Sequence, residues 1–447
     1  MFDLLAAACV LCILGAVMVI AKLNAKRLTP EGSRKTIHIV MGCTALAFPF
    51  LFEHRQSVIF LGIVAVGALL FLRRNDSLRE GVGTALLGVQ RKSLGDIYFV
   101  ISIVIVFVLH ESVYEYLIPI SVLTFADSVA ALVGTSYGRY NMAQHKEEDT
   151  KSSEGSVMFF IVAFLCALIP LQLMTEVGRA EVLVISFLIG SLAAMIEAVT
   201  RHGNDNLLLP LLTYSFLRYN IGKPLALIFT NFGIMLFLLV VVIVVYAITN
   251  ITRLSMAYSL LVGYIIIIQG GITWIIPPLM IFLTFGVLPI MKSDERKMVQ
   301  TYKAIECNTI VGVVCLWLSV FFPAYREILY LSFSLSFAIH LAINTFSRLV
   351  NFYSANTEVS VIYGLMKSFL FIALPTLLIT GMRWIILALY LLFVVLAMPP
   401  AISLEKKYDY KNVGPATFRA NKILVGTLTA AFTVILIFAG GFYDLFG

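Results

Sequence analysis

Asp127 opens the segment DSVAALVGTSYG, in which Asp127, Ala131, Gly134 and Gly138 recur at i, i+4, i+7 and i+11. That spacing puts one carboxylate and three small residues on a single helical face. An acid inside an apolar run is costly in lipid and faces a cavity, a partner or a metal. The small residues let a ligand approach closely, or equally another helix in a small-xxx-small contact. KSSEGS follows at Lys151 to Ser156. Ser152 or Ser153 can cap the next helix, whose free N–H groups and dipole favour phosphate. Lys151 adds charge, Gly155 permits close approach and Glu154 is a second carboxylate.

Glu197 and RHGNDN, Arg201 to Asn206, bring further acids and amides, while Arg34, Lys35 and His38 bring cations. An acid pair with a lysine and a helix N-terminus is what Mg2+-assisted phosphoryl transfer requires: a metal bridging phosphates, a cation on the developing charge, and a positioned hydroxyl. The metal candidates are Asp127, Glu154 and Glu197, and Lys151 is the catalytic cation. The plainer readings are a capped helix with solvated charges, snorkelling basic residues and a helix-end histidine. GVGTALLG, Gly81 to Gly88, lacks a following GK[ST] and supports no Walker-type loop.

The elements that must position these groups are membrane helices. The chain has 447 residues, is 60% hydrophobic and 13% charged, and has a mean hydropathy of +0.96. Its charges sit in short breaks between apolar runs of roughly 17–25 residues. Backbone satisfaction in lipid then implies an all-α, polytopic transmembrane bundle. The runs predict about sixteen crossings, from 2–21 to 423–441. The first run lacks a preceding basic residue and reads as a retained anchor. Cys9 and Cys12 form a CxxC without a second pair nearby; with Cys43, Cys166, Cys307 and Cys315 they read as buried small apolar residues, and no disulfide framework is implied.

The net charge of +7 concentrates in loops, which makes it a topology signal and implies no nucleic-acid partner. Basic loops at Lys22 to Lys35 and Arg73 to Lys92 predict a cytoplasmic side, which Arg139 to Ser156 and Thr200 to Asp205 share. The acidic turn Glu111 to Glu115 falls outside. Polar groups at cytoplasmic helix ends differ from a transporter's midplane site. They suit a water-soluble compound on one side and a lipid-dissolved one on the other. Basic loops recur in the second half at an offset of roughly 215 residues, predicting a parallel duplication of two eight-helix units, 1–223 and 224–447.

RKTIHIVMG (Arg34 to Gly42), DSVAALVGTSYG and KSSEGS, with Glu197 and Asn206 downstream, resemble the phytol kinase and dolichol kinase family. The resemblance implies a CTP- and Mg2+-dependent kinase acting on a long-chain isoprenoid alcohol, an integral protein of a prokaryotic plasma membrane with its site on the cytoplasmic face. Asp127 and Glu154 would then be metal or base residues. Lys151, Ser152 and the backbone at Gly134, Gly138 and Gly155 would hold the nucleotide, with Arg34 and Lys35 beside it and His38 and Asn206 nearby. The chain departs from the family at Ala126, Thr135 and Ser136.

The second half, through MKSDERKMVQTYKAIECN (Met291 to Asn308), is similar to a sister family that includes phytyl-phosphate kinases. Asn344, Thr345, Ser347 and Arg348 stand where that family carries its acids, and Glu358 is the only carboxylate expected nearby. A degenerate half that completes the bundle or holds the lipid chain is the expectation. Two rival readings share the composition: a phosphatidate-type CTP-dependent cytidylyltransferase and a non-enzymatic lipid transporter or flippase.

Overall fold

The computed structural model describes residues 2–23, 30–74, 94–138, 152–200, 203–248, 252–284, 302–407 and 415–440. These residues are all-α and form two compact units, Met1–Gly233 and Ile234–Gly447. Ten of the described helices are long and apolar enough to cross a membrane, and four more are apolar but shorter. The chain is thus a polytopic membrane-spanning bundle. Sixteen crossings are expected from the sequence, but among the described residues ten helices reach membrane length and the other apolar helices are too short to count as independent spans. Turn chemistry cuts them: Gly271, at φ 93°, ends one short helix before a 3-10 turn starts the next.

Unit 1 contains α1 (Phe2–Leu23), α2 (Pro30–Leu46), α3 (Arg55–Arg74), α4 (Gly95–Leu109), α5 (Val113–Tyr137), α6 (Ser153–Met174), α7 (Arg179–Val199) and α8 (Asp205–Asn220). Successive helices run in alternate directions, so their polar ends collect in two places. At one end the Asp3 carboxylate accepts from the Ser57 hydroxyl at 2.7 Å and from the backbone N–H groups of Glu53 and His54. Arg55 donates to the His110 carbonyl at 3.0 Å there, and Arg218 pairs with Glu111. Glu115 and Ser112 form a capping box that starts α5.

At the other end lie the starts of α2, α4 and α8 and the close of α7. Arg73 of α3 pairs with Asp96 there, and Asn206 donates to the Gly95 carbonyl at 2.8 Å, tying α8 to α4. The helix α5 reaches this end through an irregular stretch. Pro119 removes one backbone donor, and a π-helical turn follows at Val122–Ala126, immediately before Asp127.

Unit 2 begins within α9 (Leu225–Ile248) and continues with α10 (Leu254–Gly270), α11 (Ile272–Phe282), α12 (Tyr302–Phe321), α13 (Arg326–Tyr353), α14 (Thr357–Thr380), α15 (Trp384–Leu396), α16 (Met398–Lys407) and α17 (Pro415–Gly440). Its centre is α13, buried along nearly its whole length. Phe333 and Phe337 fill the space over Gly312 of α12, where an added Cβ would lie 2.5 Å from the Phe337 ring.

Two sequence expectations change here. Glu405 of α16 accepts from Ser347 at 2.5 Å and from Asn351, so a carboxylate does face the altered segment of α13. It comes from a helix more than fifty residues away in sequence, beyond any local pattern. Cys9, Cys12 and Cys43 are exposed, while Cys307 and Cys315 are buried, and all six cysteines are free. On a membrane helix an apolar side chain serves as well facing lipid as facing protein, so apolarity alone predicts no burial.

Candidate functional site

Lys35 donates from Nζ to Asp127 Oδ2 at 2.5 Å, with both side chains largely buried. The same ammonium lies 3.4 Å from the Asp127 carbonyl. Asp127 follows the π-helical turn, which re-aims the helix face at that point. His38, one turn after Lys35 on α2, donates from Nε2 to the Leu123 carbonyl inside that turn at 3.0 Å. Its ring lies on Phe99, and its Nε2 is 3.6 Å from Asp127 Oδ2. The imidazole therefore props the irregular turn of α5 from α2 and stands beside the acid.

Glu197 and Asp205 complete the arrangement. Asp127, Glu197 and Asp205 each offer a carboxylate oxygen, and the three oxygens lie within 4.8 Å of one another. Trans ligands of a Mg2+ ion stand about 4.2 Å apart, twice a 2.1 Å bond, so slight side-chain movement would seat a hard cation. Charge points the same way. Among the described residues, three carboxylates gather beside the Lys35 ammonium, a negative cluster that suits a divalent ion. Asp205 sits on the first turn of α8, where the helix dipole favours an acid. Glu197 sits in the last turn of α7, where the dipole opposes an acid, a cost that a nearby cation offsets. These residues fit the ion.

Of the residues expected from sequence, Asp127, Glu197, Lys35 and His38 meet at this point. Asp205 also belongs to it, although in sequence it is one acid of the polar run Arg201 to Asn206. Its signal was its place one residue before Asn206 at the start of an apolar helix. Asn206 itself is spent on stitching α8 to α4. Glu154 stands outside the carboxylate group, on the first turn of α6. Lys151 and the side chain of Arg34 lie outside the described residues, as do residues 139–150 and the Gly81 to Gly88 segment.

The start of α6 packs on the end of α5. Ser152 caps α6, its Oγ accepting from the Gly155 N–H at 3.1 Å. A Cβ added at Gly134 would lie 2.9 Å from Ser152 Oγ, and one at Gly138 only 2.8 Å from Ser152 Cβ. One added at Gly155 would lie 3.1 Å from the Ala130 carbonyl. The small residues on the Asp127 face are thus in use as a helix–helix contact. That contact carries the capped N-terminus of α6 alongside the helix that holds Asp127.

The chain is 30% identical over 204 residues to the phytol kinase of Synechocystis sp. (strain ATCC 27184 / PCC 6803 / Kazusa), a match that spans 84% of that protein and 44% of this one. This chain belongs to the phytol kinase family. More than half of this family member lies outside the matched stretch. No family model matches the chain, and no solved structure matches it.

Proposed function

We propose that the protein is a membrane kinase transferring the γ-phosphate of CTP, or another nucleoside triphosphate, to a long-chain isoprenoid alcohol such as phytol, geranylgeraniol or a polyprenol. The observation that carries this reading is the Asp127, Glu197 and Asp205 carboxylate group at one end of a membrane bundle, in a member of the phytol kinase family. A Mg2+ ion held by these carboxylates would draw charge from the phosphates of the nucleotide.

The chain's own groups divide the remaining work. Lys35 is the cation beside Asp127 and offers its ammonium to phosphate oxygens brought to the site. Lys151 and Arg34 add positive charge, and the capped N-terminus of α6, with Ser152, Glu154 and Gly155, faces the nucleotide. Gly134 and Gly138 hold that N-terminus close. Asp127 orients the alcohol hydroxyl and takes up its proton as the phosphate transfers. His38, already donating to Leu123, keeps the segment before Asp127 in place. The isoprenoid tail lies among the apolar helices, with the hydroxyl at the cytoplasmic rim. Within this reading the chain is a parallel duplication whose second half, with Asn344, Thr345, Ser347 and Arg348 in place of the acids, serves the first.

The test is purified full-length protein in detergent with Mg2+ and CTP labelled at the γ-phosphate, offered farnesol, geranylgeraniol, phytol and a polyprenol. Label in a prenyl monophosphate supports the kinase. Pyrophosphate release with a cytidylated lipid would replace it with the cytidylyltransferase, and no nucleotide turnover with any alcohol would overturn both.

A further inference from the structure

The buried helix α13 carries Ser332, Ser336, His340, Asn344, Ser347 and Asn351 along one face, at spacings of three or four residues. Two helices close over this stripe. Asn344 donates to Asn308 of α12 at 3.1 Å, and Thr433 of α17 donates to Ser332 at 2.8 Å. The helices α12 and α17 run the same way, joined at their starts by Lys422 and Glu306, and α13 runs against both. Thr429, one turn before Thr433, is therefore level with Ser336. Gly426 comes level with His340.

Many polar side chains among the described residues of unit 2 find a partner across helices or on their own backbone. The Ser334 hydroxyl, for example, bonds both Thr376 and the Tyr390 hydroxyl. A stripe that only fixed helix register would pair its groups in the same way. His340 and Thr429 break that pattern. Their side chains are 1% and 2% exposed, and among the described residues His340 Nε2 and Thr429 Oγ1 have no hydrogen-bond partner. A threonine in an apolar helix ordinarily bonds its own backbone one turn back, as Thr345 does. One turn before Thr429, a Cβ added at Gly426 would meet Val311 at 3.8 Å, an ordinary contact, so a small residue leaves α17 loosely packed at the level of His340. Buried polar atoms with room beside them are where internal water resides.

At its other end the stripe reaches the partly buried Glu405, which accepts from Ser347 and Asn351. From Asn351 to His340 is eleven residues, about 16 Å at 1.5 Å per residue, or about half the hydrocarbon thickness. We propose that unit 2 holds a water-bearing inlet that enters beside Glu405 and ends at His340 and Thr429, a binding site for water at mid-depth of the membrane. The inlet gives one imidazole inside the bundle contact with a single aqueous face. It is independent of the kinase reading, whose residues all lie in unit 1.

The experiment places single cysteines by Ser336→Cys, Thr429→Cys and Asn344→Cys in the full chain and treats membranes with a small charged thiosulfonate. Intact mass counts adducts beyond those of the parent chain. Ala338→Cys, on the opposite face of α13 against α14, is the dry control, and Thr357→Cys, exposed, is the accessible one. One extra adduct on the stripe variants, formed within about tenfold of the rate at Thr357→Cys, with none at Ala338→Cys, is the expected result. No adduct on any monodisperse stripe variant, or equal labelling at Ala338→Cys, overturns the inlet.

Discussion

The Lys35 ammonium lies 2.5 Å from Oδ2 of Asp127, the acid that shares its carboxylate group with Glu197 and Asp205. Lys35 and a divalent ion bound there would thus share the work of balancing the carboxylates. Two buried charges in contact stabilise each other only while both are present, and removing one partner is strongly destabilising.

Lys35→Met should therefore lower the melting temperature of the metal-free protein, and added Mg2+ should raise it by more than in the parent chain. Mn2+ affinity, read by electron paramagnetic resonance without nucleotide, should rise by about tenfold as the competing cation is lost. Unchanged or weaker Mn2+ binding would remove Lys35 from the site.

Asp205→Asn separates the structural assignment from the sequence one. It keeps the size of the side chain and removes a charge, so prenol phosphorylation should fall by at least about 100-fold with the protein still monodisperse. Asp127→Asn and Glu197→Gln should do the same. Full activity of Asp205→Asn, measured with labelled CTP, would return the metal to Glu154.

Substitutions in the α5–α6 contact should rank by what the new methyl group meets. Gly138→Ala places it against Ser152 Cβ and the Gly134 carbonyl and should cost about 1–3 kcal/mol. Gly155→Ala meets its neighbours at 3.1 Å and should cost less. Thermal unfolding in detergent compares the two, and the reverse order would deny that this contact joins the helices.

Asp3→Asn acts at the other end of unit 1. It weakens the carboxylate that holds Glu53, His54 and Ser57 at the start of α3. The melting temperature should fall while kcat for the alcohol is unchanged, because no site residue is touched. A kcat loss matching that of Asp205→Asn would show that the two ends are coupled.

What the sequence determined by itself was the class of the chain and the chemistry of its parts. Apolar runs too long and too poor in charge for a soluble core required helices in a membrane, because no other backbone arrangement satisfies its hydrogen bonds there. Asp127 was legible because a carboxylate in such a run demands a reason, and the Ser152 cap because its hydroxyl acts within three residues. Tertiary structure alone decided which groups meet. Lys35 and Asp127 are 92 positions apart, Ser347 and Glu405 are 58 apart, and Asp205 joined Asp127 and Glu197 only through the turn that returns α8 beside α7. The same spacing of small residues serves a ligand or a helix equally well, and only packing shows which of the two is in contact. Helix periodicity states which face a residue takes; which neighbour covers that face depends on contacts summed over the whole unit.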